Sequence, residues 1–161
     1  MATEKSTLLS NQEANPVTIS NTRGILKAAI DTVAVSDGAD GDIAVTGIRI
    51  PVDAKITSVV VASDAFGGSA TMNVGLSSDD GGGVYTAVDA DCFGTVIAVD
   101  AAVTPTEIRF ETKNINTVKD RAWEIAGLSA RPAYGEFVLS LAFPAETAAA
   151  GDVTVIVNFI Q

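Results

Sequence analysis

Twenty carboxylates, one cysteine and no histidine bound the chemistry open to this 161-residue chain. Without histidine, the usual general base, the commonest metal ligand and every histidine-dependent triad are lost together. A serine or cysteine nucleophile then needs another activator. Cys92 has no cationic residue near it in sequence, and Ser77-Ser78 lacks the strand-turn-helix setting of a nucleophile elbow. Two carboxylates suffice for glycosidic chemistry, and Asp79, Asp80, Asp89, Asp91, Glu107 and Glu111 qualify by type. Their spacing favours no pair, so the chain is expected not to be an enzyme.

Metal and phosphate sites are weighed in the same way. Asp37, Asp40 and Asp42 form an oxygen-rich run, and Asp79-Asp80 precedes Gly81-Gly82-Gly83. Neither loop ends in the bidentate glutamate of a calcium loop, so both read as solvated turns. The glycine triplet lacks the lysine and hydroxyl of a nucleotide loop. No cofactor and no metal are therefore expected. Cys92, beside Phe93, reads as a core thiol, with a crosslink between copies as the alternative. Trp123, between Arg121 and Glu124, is a core anchor with a charged collar or an interface anchor. Phe66, before Gly67-Gly68, is a turn plug or an exposed contact.

The elements that must carry these residues are strands. Hydrophobic residues make up 47% of the chain and charged residues 19%, too apolar for disorder. No run approaches the roughly 20 apolar residues of a spanning helix. At this length a single domain buries roughly 70% of its unfolded surface. Residues 1–22 are polar and aperiodic and are expected to form an extended arm, with residues 23–161 as the domain. Within the arm Val17-Thr18-Ile19 is an apolar island able to add an edge strand to a neighbour.

From Gly24 onward the hydrophobic period is two. Ile25–Val35 is a strand candidate, with one helical turn at Leu26–Ile30 as the alternative, followed by an Asp- and Gly-rich loop and a strand that Pro51 ends. Ile56–Ala62 is β-branched almost throughout. Ala70–Leu76 forms the next strand, and Ser77–Gly83 reads as loop. Asp89-Ala90-Asp91 could cap a short helix carrying Cys92, Phe93, Val96 and Ile97. Glu107–Glu111 alternates as a strand, and Arg121–Leu128 reads as a short helix or an irregular strand. Glu136–Phe143 and Val153–Ile160 read as a closing hairpin. About eight strands result, without recurring amphipathic helices, which predicts an all-β antiparallel sandwich of jelly-roll type.

Charge narrows the partners. Ten Lys and Arg against twenty Asp and Glu leave a formal charge of −10, which repels phosphate backbones. The cations Lys27, Arg49, Lys55, Arg109, Lys113, Lys119, Arg121 and Arg131 are scattered singly. Neither nucleic acid nor a membrane is an expected partner, and the N-terminus does not read as a secretory leader.

Five stretches carry a family likeness: Ile48 to Ile56 (IRIPVDAKI), Asp64 to Leu76 (DAFGGSATMNVGL), Asp89 to Phe93 (DADCF), Arg121 to Leu128 (RAWEIAGL) and Ala149 to Val155 (AAGDVTV). They resemble small virion proteins of tailed bacteriophages that decorate, or cement, the head. The likeness spans about residues 40–161 and rests on turn-and-strand patterns, so no catalytic residue comes with it. It implies a jelly-roll sandwich on the outer surface of an icosahedral shell, made in the host cytoplasm, bound to the major capsid protein and bridging capsomers. It also implies self-association, with a trimer preferred over a dimer. Val17, Thr18, Ile19, Phe66 and Trp123 are then the candidate contact residues. The alternatives are a tail or head-closure component, or a carbohydrate- or receptor-binding module.

Overall fold

The computed structural model describes residues 24–35, 42–79, 81, 84–145 and 147–161. Among them eight strands run in chain order as β1 (Leu26–Val35), β2 (Asp42–Pro51), β3 (Lys55–Ser63), β4 (Thr71–Asp79), β5 (Tyr85–Ala98), β6 (Val103–Glu107), β7 (Glu136–Phe143) and β8 (Gly151–Ile160). A 3-10 turn at Ile115–Lys119 and a one-turn helix α1 (Ala122–Ile125) lie between β6 and β7.

The strands form two four-stranded antiparallel sheets, ordered β1-β8-β3-β6 and β2-β7-β4-β5. The pairing is nested: β1 with β8, β2 with β7, β3 with β6, β4 with β5. This double ribbon folded on itself is the jelly-roll order. The all-β sandwich expected from the hydrophobic period is the fold found.

Alternation positions the core. Along β8, Val153, Val155, Val157 and Phe159 point inward and are buried, while Thr154, Ile156, Asn158 and Ile160 between and after them are half-buried. Opposite them, β7 contributes Phe137, Leu139, Leu141 and Phe143, and β4 contributes Met72, Val74 and Leu76. Each fully buried side chain of this kind contributes roughly 1.5–3 kcal/mol, and together they outweigh any single polar contact. Phe66 stacks edge-to-face on Phe143, with ring centroids 5.7 Å apart.

Four local expectations are corrected. β7 and β8 are not a hairpin but lie in opposite sheets, because the connection from Pro144 to Ala150 is long enough to cross the sandwich. Ser77, Ser78 and Asp79 belong to β4 rather than to a loop, since they pair with Ala87, Thr86 and Tyr85. Asp89 to Ile97 forms no helix. It lies within β5, where three register shifts against β4 interrupt the period of two, so that Cys92 and Phe93 are buried in succession while Val96 is exposed. Glu107–Glu111 is not a strand either: β6 ends at Glu107, whose carboxylate accepts the Arg109 N–H at 2.9 Å, and the Glu111 N–H bonds back to the Ile108 carbonyl at 3.0 Å to close a turn. At Arg121–Leu128 the short-helix option holds, with Ala122 and Ile125 buried together on one face.

One glycine shapes the second sheet. A Cβ at Gly75 would lie 2.1 Å from the Asp89 carbonyl oxygen, so only glycine lets β5 fold back over the outer face of β4. That cover buries Ser77, whose hydroxyl bonds Ser140 at 2.8 Å.

Candidate interaction surfaces

Three of the carboxylates able to do chemistry, Asp79, Asp89 and Glu107, are tied into the fold. Asp79 pairs with Arg49 at 2.8 Å and accepts from the Gly81 N–H at 2.8 Å. The Arg49 guanidinium holds its carboxyl below the usual carboxylate range. Glu107 accepts from the Ser58 hydroxyl, from the Val59 N–H at 2.9 Å and from the Arg109 N–H at 2.9 Å. Asp89 lies 3.8 Å from Lys113, and burial pushes its carboxyl up. Asp53 receives Arg121 at 3.3 Å and Arg131 at 2.8 Å. Among the described residues no three His, Cys, Asp or Glu side chains gather as metal ligands. Asp37, Asp40 and Asp80, and the side chain of Asp42, lie outside the described residues.

Cys92 is a free, buried thiol, and burial pushes it far above its ordinary range. It is a core residue of β5, and a thiol kept protonated is a poor nucleophile.

Arg109 was legible only as a scattered cation. Its side chain is fully buried, one of the largest in the core. Nε donates to the Ile56 carbonyl at 3.0 Å, and the two terminal nitrogens reach the Thr117 carbonyl at 3.0 Å and hydroxyl at 3.4 Å. Its guanidinium carbon lies 4.8 Å from the Phe110 ring centroid and 5.8 Å from that of Phe93. Desolvation holds it below the usual arginine range, yet it stays charged at neutral pH. It ties β3 to the 3-10 turn, a structural clip rather than a ligand site.

Of the candidate contact residues, Phe66 is wholly buried, which makes it the turn plug and leaves it no exposed surface. Trp123 is half-buried on α1, packed against the core. Its Nε1 is buried with no acceptor among the described residues. Val17, Thr18 and Ile19 lie outside the described residues.

What the described surface offers instead is exposed apolar side chains in separate places. Ile25 precedes β1, Leu26 and Ile30 lie on β1 and Ile43 on β2, Val84 precedes β5 and Val96 lies within it, and Ile115 and Val118 lie on the 3-10 turn. The strand order places β1 and β2 at one side of the sandwich and β5 and β6 at the other.

Val96 carries the signal that sequence reasoning missed. Its φ of 52° puts a β-branched residue in left-handed backbone, where glycine is the ordinary occupant. It sits where β5 shifts register opposite Asn73, whose side-chain oxygen accepts the Val96 N–H at 2.7 Å. Such a bulge normally carries glycine. A valine here costs of order 1–3 kcal/mol and buries little in return, being 63% exposed. The next residue, Ile97, lines a cleft of about 460 Å³ with Thr106, Glu107, Ile108, Phe110 and Glu111. Burial raises the Glu111 carboxyl above its usual range. The arrangement sets a strained, exposed apolar side chain next in sequence to a residue that lines a cleft with Glu111 among its lining residues.

No protein-family model and no curated protein matches the chain. Two solved structures do. A chain of the cyanophage Pam1 capsid asymmetric unit is 21% identical, over 86% of this chain and 86% of that one, with a TM-score of 0.54. A chain of the Ralstonia phage GP4 capsid is 17% identical, over 86% of this chain and 85% of that one, with a TM-score of 0.60. At these identities the likeness is one of fold.

Proposed function

We propose that the chain is a structural virion protein that binds the outer surface of an assembled bacteriophage head, contacts the major capsid protein and bridges neighbouring capsomers. The observation that carries this reading is the match of the jelly roll, over most of its length, to chains of two phage capsids. The strained Val96 next to the β5–β6 cleft supports it, because strained, exposed residues cluster at sites that make contacts outside the fold. In this reading Val96 and the cleft face the capsid, and Glu111 meets a basic side chain there. Residues 1–22 serve as an arm, with Val17, Thr18 and Ile19 adding a strand to a neighbouring subunit.

The test mixes the purified chain with heads assembled without it, followed by sedimentation and cryo-electron microscopy. Saturable binding is expected, with density repeated over the outer lattice and β5 and β6 turned toward the shell. In the same assay Val96→Gly is expected to bind at least about tenfold more weakly, while its unfolding free energy rises by roughly 1 kcal/mol as strain is relieved. Density only at the tail or portal vertex, or no binding to heads, defeats the decoration role. Full binding by the Val96→Gly protein removes this face from the contact.

A further inference from the structure

Among the described residues the two sheets leave four strand edges unpaired, and these are not equivalent. β6 is five residues long and carries Pro105, which blunts an edge. β5 is broken by three register shifts, and β2 by one between Val45 and Arg49. β1 has none of these devices. It pairs with β8 through ten consecutive residues without a shift, and no proline or glycine interrupts it. Among the described residues nothing pairs with its other side. A long, regular, apolar edge of this kind invites strand pairing unless a partner covers it.

The residues along the edge say which partner. On the outward face Leu26 and Ile30 are 66% and 67% exposed. Ile30 stands level with Ile156 of β8, and Ile156 with Val60 of β3, so an apolar row crosses the outer face of the sheet and stops at Ile30. Ile43 on β2, 42% exposed, flanks the same edge in the other sheet. Lys27 and Asp31 are the only charges within β1; Lys27 donates to the Gln161 side-chain oxygen, and Asp31 accepts from the Gly47 N–H of β2 at 2.6 Å and from the Thr32 N–H at 2.9 Å.

We infer that β1 pairs antiparallel with β1 of a second copy, about a two-fold axis through Ile30, joining two four-stranded sheets into one of eight. This register sets Ile30 opposite its own equivalent and continues the apolar row from one copy into the next. It sets Ala28 opposite Thr32 and Leu26 opposite Ala34 of the second copy. On the other face Lys27 comes opposite Val33 and diagonal to Asp31 of the second copy, within reach of a long side chain, and symmetry repeats that pair. This register thus sets apolar residues against apolar ones and the two charges of opposite sign diagonal to each other, a pattern that a two-fold axis repeats. The inference is of a twofold association, whereas the family likeness implies a trimer in preference to a dimer. The inference concerns the free chain and stands whether or not that chain binds a capsid.

Sedimentation equilibrium of the full chain, wild type and variants, tests it. The wild type is expected to be a reversible dimer. Ile30→Lys, which places like charges directly opposite, should raise the dissociation constant at least about 100-fold while leaving the circular dichroism unchanged. Ile115→Lys, at an exposed apolar residue away from the edge, should leave the dimer intact. Register is read by oxidising Ile30→Cys, which should crosslink fully because residue 30 faces itself, whereas Ala28→Cys should not. A monomer at all concentrations, a trimer mass, or crosslinking through residue 28 instead of 30 overturns the inference. So does a dimer that survives Ile30→Lys, or one that dissolves when residues 1–23 are removed.

Discussion

At the residue scale, burial and type together decide each role. Arg109 shows this most sharply, because a fully buried guanidinium with three acceptor contacts is costly to disturb. Arg109→Ala strands the Ile56 and Thr117 carbonyls, removes the contact with Phe110 and leaves a cavity beneath β6. At about 1–3 kcal/mol for an unsatisfied buried polar group plus lost packing, a destabilisation of roughly 3 kcal/mol is expected in chemical denaturation. A loss below about 1 kcal/mol would mean that water replaces the side chain and that the clip is incidental. The sequence showed Cys92 beside Phe93 as a core pair, and both are buried. It did not show Arg109, because a lone Arg in an alternating stretch reads as an outward-facing strand residue. Nor did it show Val96, since a positive φ leaves no mark when the residue is not glycine or asparagine.

At the scale of elements, the strands were legible and their partners were not. β3 and β8 announce themselves by β-branched runs, yet alternation states only that a strand has two faces, never which strand lies beside it. Adjacent β7 and β8 therefore read as a hairpin, while their actual neighbours lie far off in the chain: β8 pairs with β1, and β7 with β2. β5 misled for a different reason, since its bulges break the period of two. The bulged course of β5 over β4 depends on Gly75. Gly75→Ala sets a methyl against backbone at Asp89 and Ala90, which cannot give way as a flexible side chain can. It is expected to cost about 2–3 kcal/mol and to raise amide exchange in β5 selectively, before the rest of the sheet. Uniform exchange across both sheets would show instead that β5 is not a separately released unit.

At the scale of the whole molecule, two electrostatic effects oppose each other when copies meet. Each chain carries a formal charge of −10, and two such bodies with centres roughly 30 Å apart repel by several kcal/mol at 10 mM salt, where screening is weak. Against this stand two symmetry-related Lys27–Asp31 diagonals, exposed and worth about 0.2–1 kcal/mol each. The repulsion is the larger and the longer-ranged of the two. At 0.15 M salt the screening length falls to about 8 Å, so most of that repulsion disappears while the short contacts along β1 persist. The dimer constant is therefore expected to rise at least tenfold from 10 mM to 0.15 M sodium chloride and to change little above that, measured by sedimentation at pH 7. A constant that falls across the same range would place the energy in the charge pairs rather than in the apolar row through Ile30, Ile156 and Val60. Replacing Lys27 by Met separates these cases: it should leave the rise with salt intact if the row governs, and abolish a fall if the pairs do.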